Sequence, residues 1–72
     1  MNRIAVESSN LAEVGYDPDT NILEVAFKHG GVYRYFNVPS GVYTALMAAP
    51  SKGRYFDIHI KKAGYSFEKI SR

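Results

Sequence analysis

Tyr33-Arg34-Tyr35-Phe36, running into Val38-Pro39, is the stretch from which the fold of this chain can be read. On a β-strand, side chains two residues apart point the same way, about 7 Å from each other. Tyr33 and Tyr35 therefore share one face and Arg34 takes the other. Upstream, Ile22–Phe27 places Leu23, Val25 and Phe27 on one face, with Glu24 marking the opposite one. Closing a hairpin with Phe27 opposite Tyr33 and Val25 opposite Tyr35 unites the two apolar sets. Glu24 and Arg34 then become diagonal neighbours on the far side, close enough for a weak ion pair. A slip of one residue would turn Arg34 onto the apolar face. The connection must therefore hold an odd number of residues, which suits a three-residue turn with Gly30 or Gly31 at positive φ.

Working outward, Asn10 to Tyr16 reads as an earlier strand, in which Leu11 and Val14 break strict alternation and point to a bulge. Asp17-Pro18-Asp19-Thr20-Asn21 is a turn: Pro18 presets φ, and Asn21 tolerates the left-handed conformation. Residues 1–9 read as an irregular arm or a short edge strand. Downstream, Pro39 starts a helix, where its missing N–H is harmless. Val42, Leu46 and Ala49 give that helix an apolar stripe flanked by Tyr43, Ala45 and Met47, and Pro50 ends it. Ser51 caps a second helix that runs through Lys62, with Tyr55, Phe56 and Ile60 inward and Lys61 and Lys62 near its C-terminus. Gly64 stops this helix. Tyr65, Phe67 and Lys69 alternate with Ser66, Glu68 and Ile70, so a short final strand follows. The expected architecture is α+β: a small antiparallel sheet, a three-stranded meander plus a short C-terminal strand, with two helices on one face.

A chain of 72 residues is one domain, with an expected radius of gyration near 11 Å. A domain this short buries only about 60% of its unfolded surface. It contains no cysteine, so neither disulfides nor thiolate chemistry contribute. Its six tyrosines and four phenylalanines bury roughly 150–250 Å² each and form the natural core material. The N-terminus carries no signal-peptide pattern. No segment approaches the ~20 apolar residues of a membrane span, so a cytosolic protein with no membrane partner is expected. Charge is uneven despite a net value of +2. Before residue 25, Arg3 faces Glu7, Glu13, Asp17, Asp19 and Glu24. After residue 50, Lys52, Arg54, Lys61, Lys62, Lys69 and Arg72 outnumber Asp57 and Glu68. A basic C-terminal third is compatible with phosphate backbones.

Catalytic groups are sparse. Ser8, Ser9, Ser40 and Ser51 lie in no nucleophile-elbow context and read as caps and turns. His29 falls in a glycine-flanked loop, where a solvated imidazole is the ordinary outcome. Asp57 and His59 do not share a helix face. Two histidines without sequence-near companions do not make a metal site. The chain therefore reads as noncatalytic, with no metal, cofactor or small-molecule substrate expected. Ser51-Lys52-Gly53-Arg54 sets a hydroxyl, two cations and a glycine at a helix start, where anions are favoured. It lacks the spacing of a Walker motif, and an N-cap with solvated charges competes with anion binding. The Tyr33/Tyr35 pair has two readings as well. It can be a base-stacking platform, or it can lie beneath the helices as core. Parity favours the core. Nucleic acid would then meet Arg34 on the outer face, or Lys52 and Arg54 at the helix start.

Tyr16-Asp17-Pro18, Leu23-Glu24-Val25-Ala26-Phe27, Gly31-Val32-Tyr33-Arg34-Tyr35, Val38-Pro39 and Ser51-Lys52-Gly53-Arg54-Tyr55-Phe56 together resemble the KTSC domain. This small bacterial and phage module is named for its occurrence at the C-terminus of some lysyl-tRNA synthetases. The resemblance covers Val6 to Phe67 with the Tyr-x-Tyr centre intact, and it implies RNA binding. Asp57-Ile58-His59-Ile60 departs from the pattern, where Asn and a cation are expected, and so removes positive charge beside the helix. The leading expectation is a noncatalytic RNA-binding module using Lys52, Arg54, Lys61 and Lys62, with Arg34 next. The alternative is a protein-interaction or homo-oligomeric module, phage-borne and directed at a host protein. An exposed Phe36, Tyr43 or Met47 patch would favour that alternative.

Overall fold

A computed structural model describes residues 2–71. Its strands are β1 (Arg3–Ala5), β2 (Leu11–Asp17), β3 (Ile22–Phe27), β4 (Val32–Tyr35) and β5 (Phe67–Ser71). Between β4 and β5 lie α1 (Ser40–Ala48) and α2 (Lys52–Phe56), and α2 runs directly into a π-helical turn, Asp57–Lys61. The strands form one antiparallel sheet in the order β1-β2-β3-β4-β5. The α+β architecture is as expected, and β1 makes the sheet five strands wide.

The β3–β4 register differs by two residues from the expected one. Leu23 pairs with Tyr35, Glu24 with Arg34, Val25 with Tyr33 and Ala26 with Val32. The turn decides this. Phe27 donates its N–H to the Gly31 carbonyl at 3.1 Å, and Gly30 donates to the Phe27 carbonyl at 3.0 Å. Lys28, His29 and Gly30 thus form a three-residue loop, with Gly30 at φ 105° and Gly31 at φ 93°. The expected pairing would have left a longer, unsupported loop. Parity survives a shift of two, so every side chain keeps its expected face, and Glu24 lies directly opposite Arg34.

Irregularities elsewhere bury what simple alternation would expose. A bulge between Leu11 and Glu13 lets both Leu11 and Val14 turn into the core, fully buried. After β2, Asn21 at φ 57° accepts the Val38 N–H on its carbonyl at 2.9 Å. The Tyr16 hydroxyl then donates to the Val38 carbonyl at 2.6 Å, fastening the segment that leads into α1. Pro39 occupies the N-cap of α1, whose Leu46 is fully buried. The Ser51 hydroxyl accepts the Arg54 N–H at the start of α2. Phe56 and Ile60 point inward from this arm while Ile58 stays half exposed. Gly64, at φ 91°, redirects the chain towards β5. The core is Leu11, Val14, Leu23, Val25, Tyr35, Val38, Leu46, Phe56 and Ile60, lying between the sheet and the helical layer.

Candidate functional site

Beside the core, the inner faces of β3, β4 and β5 and the helical arm enclose a hollow of ≈390 Å³. Its lining is Asn10, Phe27, His29, Tyr33, Tyr35, Phe56, Asp57, Lys61 and Phe67. Each aromatic ring arrives there for a reason already visible in the register. Phe27, Tyr33 and Tyr35 share a face by parity, and β5 sets Phe67 opposite Tyr35 and Lys69 opposite Tyr33. Phe56 drops from α2 onto them and meets Phe27 and Tyr35 edge-on, at centroid distances of 5.5 and 5.4 Å. His29 stacks on Phe27 at 5.4 Å with planes 16° apart. Tyr33 meets Phe27 edge-on at 5.6 Å and lies 6.2 Å from Phe67. Phe67 is 60% exposed at the rim, and the Lys69 ammonium lies 5.9 Å from the Tyr33 centroid. This distance falls within cation–π range.

Tyr35 lies in the core, as parity favours, and Tyr33 packs against it. Tyr35 is buried, and burial, with the neighbouring Tyr33 adding to it, raises its pKa above that of an ordinary phenol. Tyr33 is only partly buried and forms part of the wall.

The π turn contributes the polar rim. Lys62 donates its N–H to the Asp57 carbonyl at 3.1 Å, a bond spanning five residues. Closing a turn over five residues brings positions i and i+5 towards one face. Phe56 and Lys61 stand in this relation, and both line the hollow with Asp57. Sequence reasoning did not place Asn10, His29 or Asp57 here. Its helical period was 3.6; His29 is an exposed loop residue, as the sequence reads it, and reaches the hollow by stacking on Phe27.

The basic residues singled out from the sequence are dispersed. Lys61 lines the aromatic hollow. Arg54 lines a second, more open depression of ≈270 Å³ with Ala49, Pro50, Ser51, Tyr55, Ile58 and His59. Lys52 turns back to donate to the Ala49 carbonyl at 3.3 Å, and Lys62 pairs with Asp57 at 3.3 Å. Arg72 lies outside the described residues. Ser51 is engaged as a cap, and Gly53 answers to packing: a Cβ there would collide with the side-chain oxygen of Asn10 and lie 3.3 Å from Ser8 Oγ. The turn before β2 presses against α2 at this point.

Arg34 is committed on the outer face. Its Nε lies 2.8 Å from Glu24 Oε1, and Arg3 Nε lies 3.4 Å from Glu24 Oε2. Arg3 also reaches Glu13 at 3.3 Å. Gly15, between Arg3 and Glu24 in the ladder, permits that approach. A Cβ there would lie 2.8 Å from the Asn2 carbonyl oxygen and 3.0 Å from Arg3 Cγ. Arg3, Gly15, Glu24, Arg34 and Glu68 form one continuous rung across all five strands. Phe36, Tyr43 and Met47 do not form an exposed patch. All three are partly buried, and Tyr43 stacks on Tyr16 at 4.9 Å. Among the described residues, the exposed large apolar ones are instead Ile4, Ile58, Phe67 and Ile70.

The profile of the KTSC domain family matches residues 7–65. The chain belongs to the KTSC domain family. A KTSC domain protein from Yersinia pestis, known by crystal structure, superposes with a TM-score of 0.91 at 42% identity, covering 96% of each chain. An uncharacterised protein of Stutzerimonas stutzeri is 46% identical over 70 residues, covering 97% of this chain and 99% of its own length. A lysine–tRNA ligase of Nostoc punctiforme is 40% identical over 65 residues, or 90% of this chain. The KTSC domain spans only 11% of that ligase. Among the described residues, no helix is long and apolar enough to cross a membrane.

Proposed function

We propose that this KTSC domain is a noncatalytic RNA-binding module. The observation that carries this reading is an aromatic hollow bordered by Lys61 and Lys69 on one face of the molecule. Rings beside cations suit single-stranded RNA, whose bases stack on aromatics while its phosphates meet ammonium groups. The similarity to a segment of lysine–tRNA ligases adds to the choice of RNA. The hollow holds one imidazole and one carboxylate, His29 and Asp57, but the His29 ring is stacked on Phe27 and Asp57 is paired with Lys62. These engagements support a noncatalytic role. RNA contact then centres on Lys61, Lys69 and Arg54. Lys52, Lys62 and Arg34 are held in intramolecular bonds.

Fluorescence anisotropy with short single-stranded RNA at several salt concentrations tests the reading. Two or three phosphate contacts give a slope of log K against log salt of about −1.4 to −2.1. Lys61→Ala/Lys69→Ala should flatten that slope more than Lys52→Ala/Arg54→Ala. Absence of binding at low salt would end the RNA reading.

A second reading rests on the exposed Phe67 and Ile70 on β5, an edge strand with one side unpaired. Such an edge can accept a strand from a protein partner or from another copy of this chain. Light scattering would reveal the latter as a mass above 8.1 kDa.

A further inference from the structure

We infer that the aromatic hollow is a slot for one unstacked nucleobase of a single-stranded RNA, with the adjoining phosphates on Lys61 and Lys69. This rests on the RNA reading above and adds which part of the RNA is gripped. Three properties of the hollow argue for a base over an apolar side chain. Its volume, ≈390 Å³, lies at the small end of ligand pockets, which run from roughly 300 to 1,000 Å³. That size admits a flat heterocycle with room for its ribose.

The second property is the arrangement of the walls. Phe27 and His29 form a stacked pair, Tyr33 meets Phe27 edge-on, and Tyr33 and Phe67 are tilted by 48°. They offer ring faces and edges to a planar guest, and Phe67 is already solvent-exposed. The third is the polar complement. Asn10, His29, Asp57 and Lys61 bring polar groups to the lining, and a base presents donors and acceptors along its edge where an apolar side chain presents none. Asn10 Oδ1 accepts the Ser8 hydroxyl, which leaves the amide hydrogens for a guest. Asp57 meets Lys62 through one oxygen, leaving the other as an acceptor. The π turn is an independent sign, since such turns interrupt helices frequently at functional sites. Here it brings Lys61 to the same hollow as Phe56.

The experiment compares RNA hexamers of equal charge: hexauridylate, hexaadenylate and an abasic ribose-phosphate hexamer. Binding is measured by anisotropy at low salt with the wild-type chain and with Phe67→Ser and Tyr33→Leu. The base-bearing hexamers should bind about tenfold more tightly than the abasic one. Each substitution should erase most of that difference between the base-bearing and abasic hexamers. Equal affinity for all three hexamers would overturn the slot and leave the RNA reading standing. No binding to any of them would overturn both. A titration with uridine monophosphate, followed by NMR, supplies a readout independent of the variants. The ring signals of Phe27, His29, Tyr33 and Phe67 should move, and shifts confined to Tyr16 and Tyr43 would overturn the assignment.

Discussion

Glu24 keeps only 8% of its side chain exposed, yet it remains well satisfied because one guanidinium reaches each carboxylate oxygen. A carboxylate buried between two arginines is worth little against an apolar replacement of both partners, but breaking such a set is expensive. Glu24→Gln retains the shape and withdraws the charge, leaving Arg34 and Arg3 facing a neutral amide. Both arginines are partly solvated, which moderates the effect. The expected loss is about 1–3 kcal/mol of unfolding free energy, read from urea denaturation midpoints. Arg34→Met with Glu24→Met in one chain should recover part of that loss.

At the scale of elements, β1 is the weakest member of the sheet. It has three residues, all exposed, and it is joined to β2 alone. Short exposed edges open before the core does. Amide exchange at Ile4 and Ala5 should therefore be the fastest among the strands. Gly15→Ala should speed it further by pushing on the Asn2 carbonyl and Arg3, with protection in β3 unchanged. Equal protection of β1 and β3 would contradict this account.

Some elements were legible in the sequence because their causes are local. Alternation gave β3 and β4 their faces, Pro39 and Pro50 bounded α1, and Asn21 and the glycine pair marked their turns. The exact register was not legible, since parity fixes only whether a shift is even. The choice between a three-residue and a five-residue loop belongs to Gly31's hydrogen bond. Nor was the π turn, because a bond from Lys62 to Asp57 replaces the α-helical pattern without any change of residue type. Gly53 and His29 owe their environments to Asn10 and Phe27, partners remote in sequence or brought close by a tight turn. The candidate site depends on such contacts. Its aromatic members could be listed from the sequence as core, but their enclosure of a hollow could not.

The whole molecule has a Cα radius of gyration of 10.8 Å and measures 27 × 26 × 23 Å, close to the size expected of a compact chain this long. Aromatic packing supplies much of its interior, and this has a consequence for alkaline stability. Tyr16 has its pKa raised by burial and then by the Asp17 carboxylate; Tyr35 has its own raised by burial and then by Tyr33. A folded-state pKa above the unfolded value of 10.0 means that the native chain holds these protons more tightly. Their contribution is complete below about pH 10 and is lost as pH rises through the folded values. The melting temperature should therefore fall above about pH 10, accompanied by the ultraviolet signature of tyrosinate. A melting temperature flat through that window would show that neither hydroxyl is held as described.

The strand order has a further consequence for any polypeptide in which this domain is embedded. With every neighbouring pair antiparallel, β1 and β5 run in the same direction at opposite edges of the sheet. The backbone comes in at one corner and goes out at the one diagonally across. Four inter-strand spacings separate those edges laterally, about 19 Å. Proteins fused ahead of it and behind it would be held apart like the ends of a short strut. A fluorophore pair carried on such fusions would report whether the strut is intact.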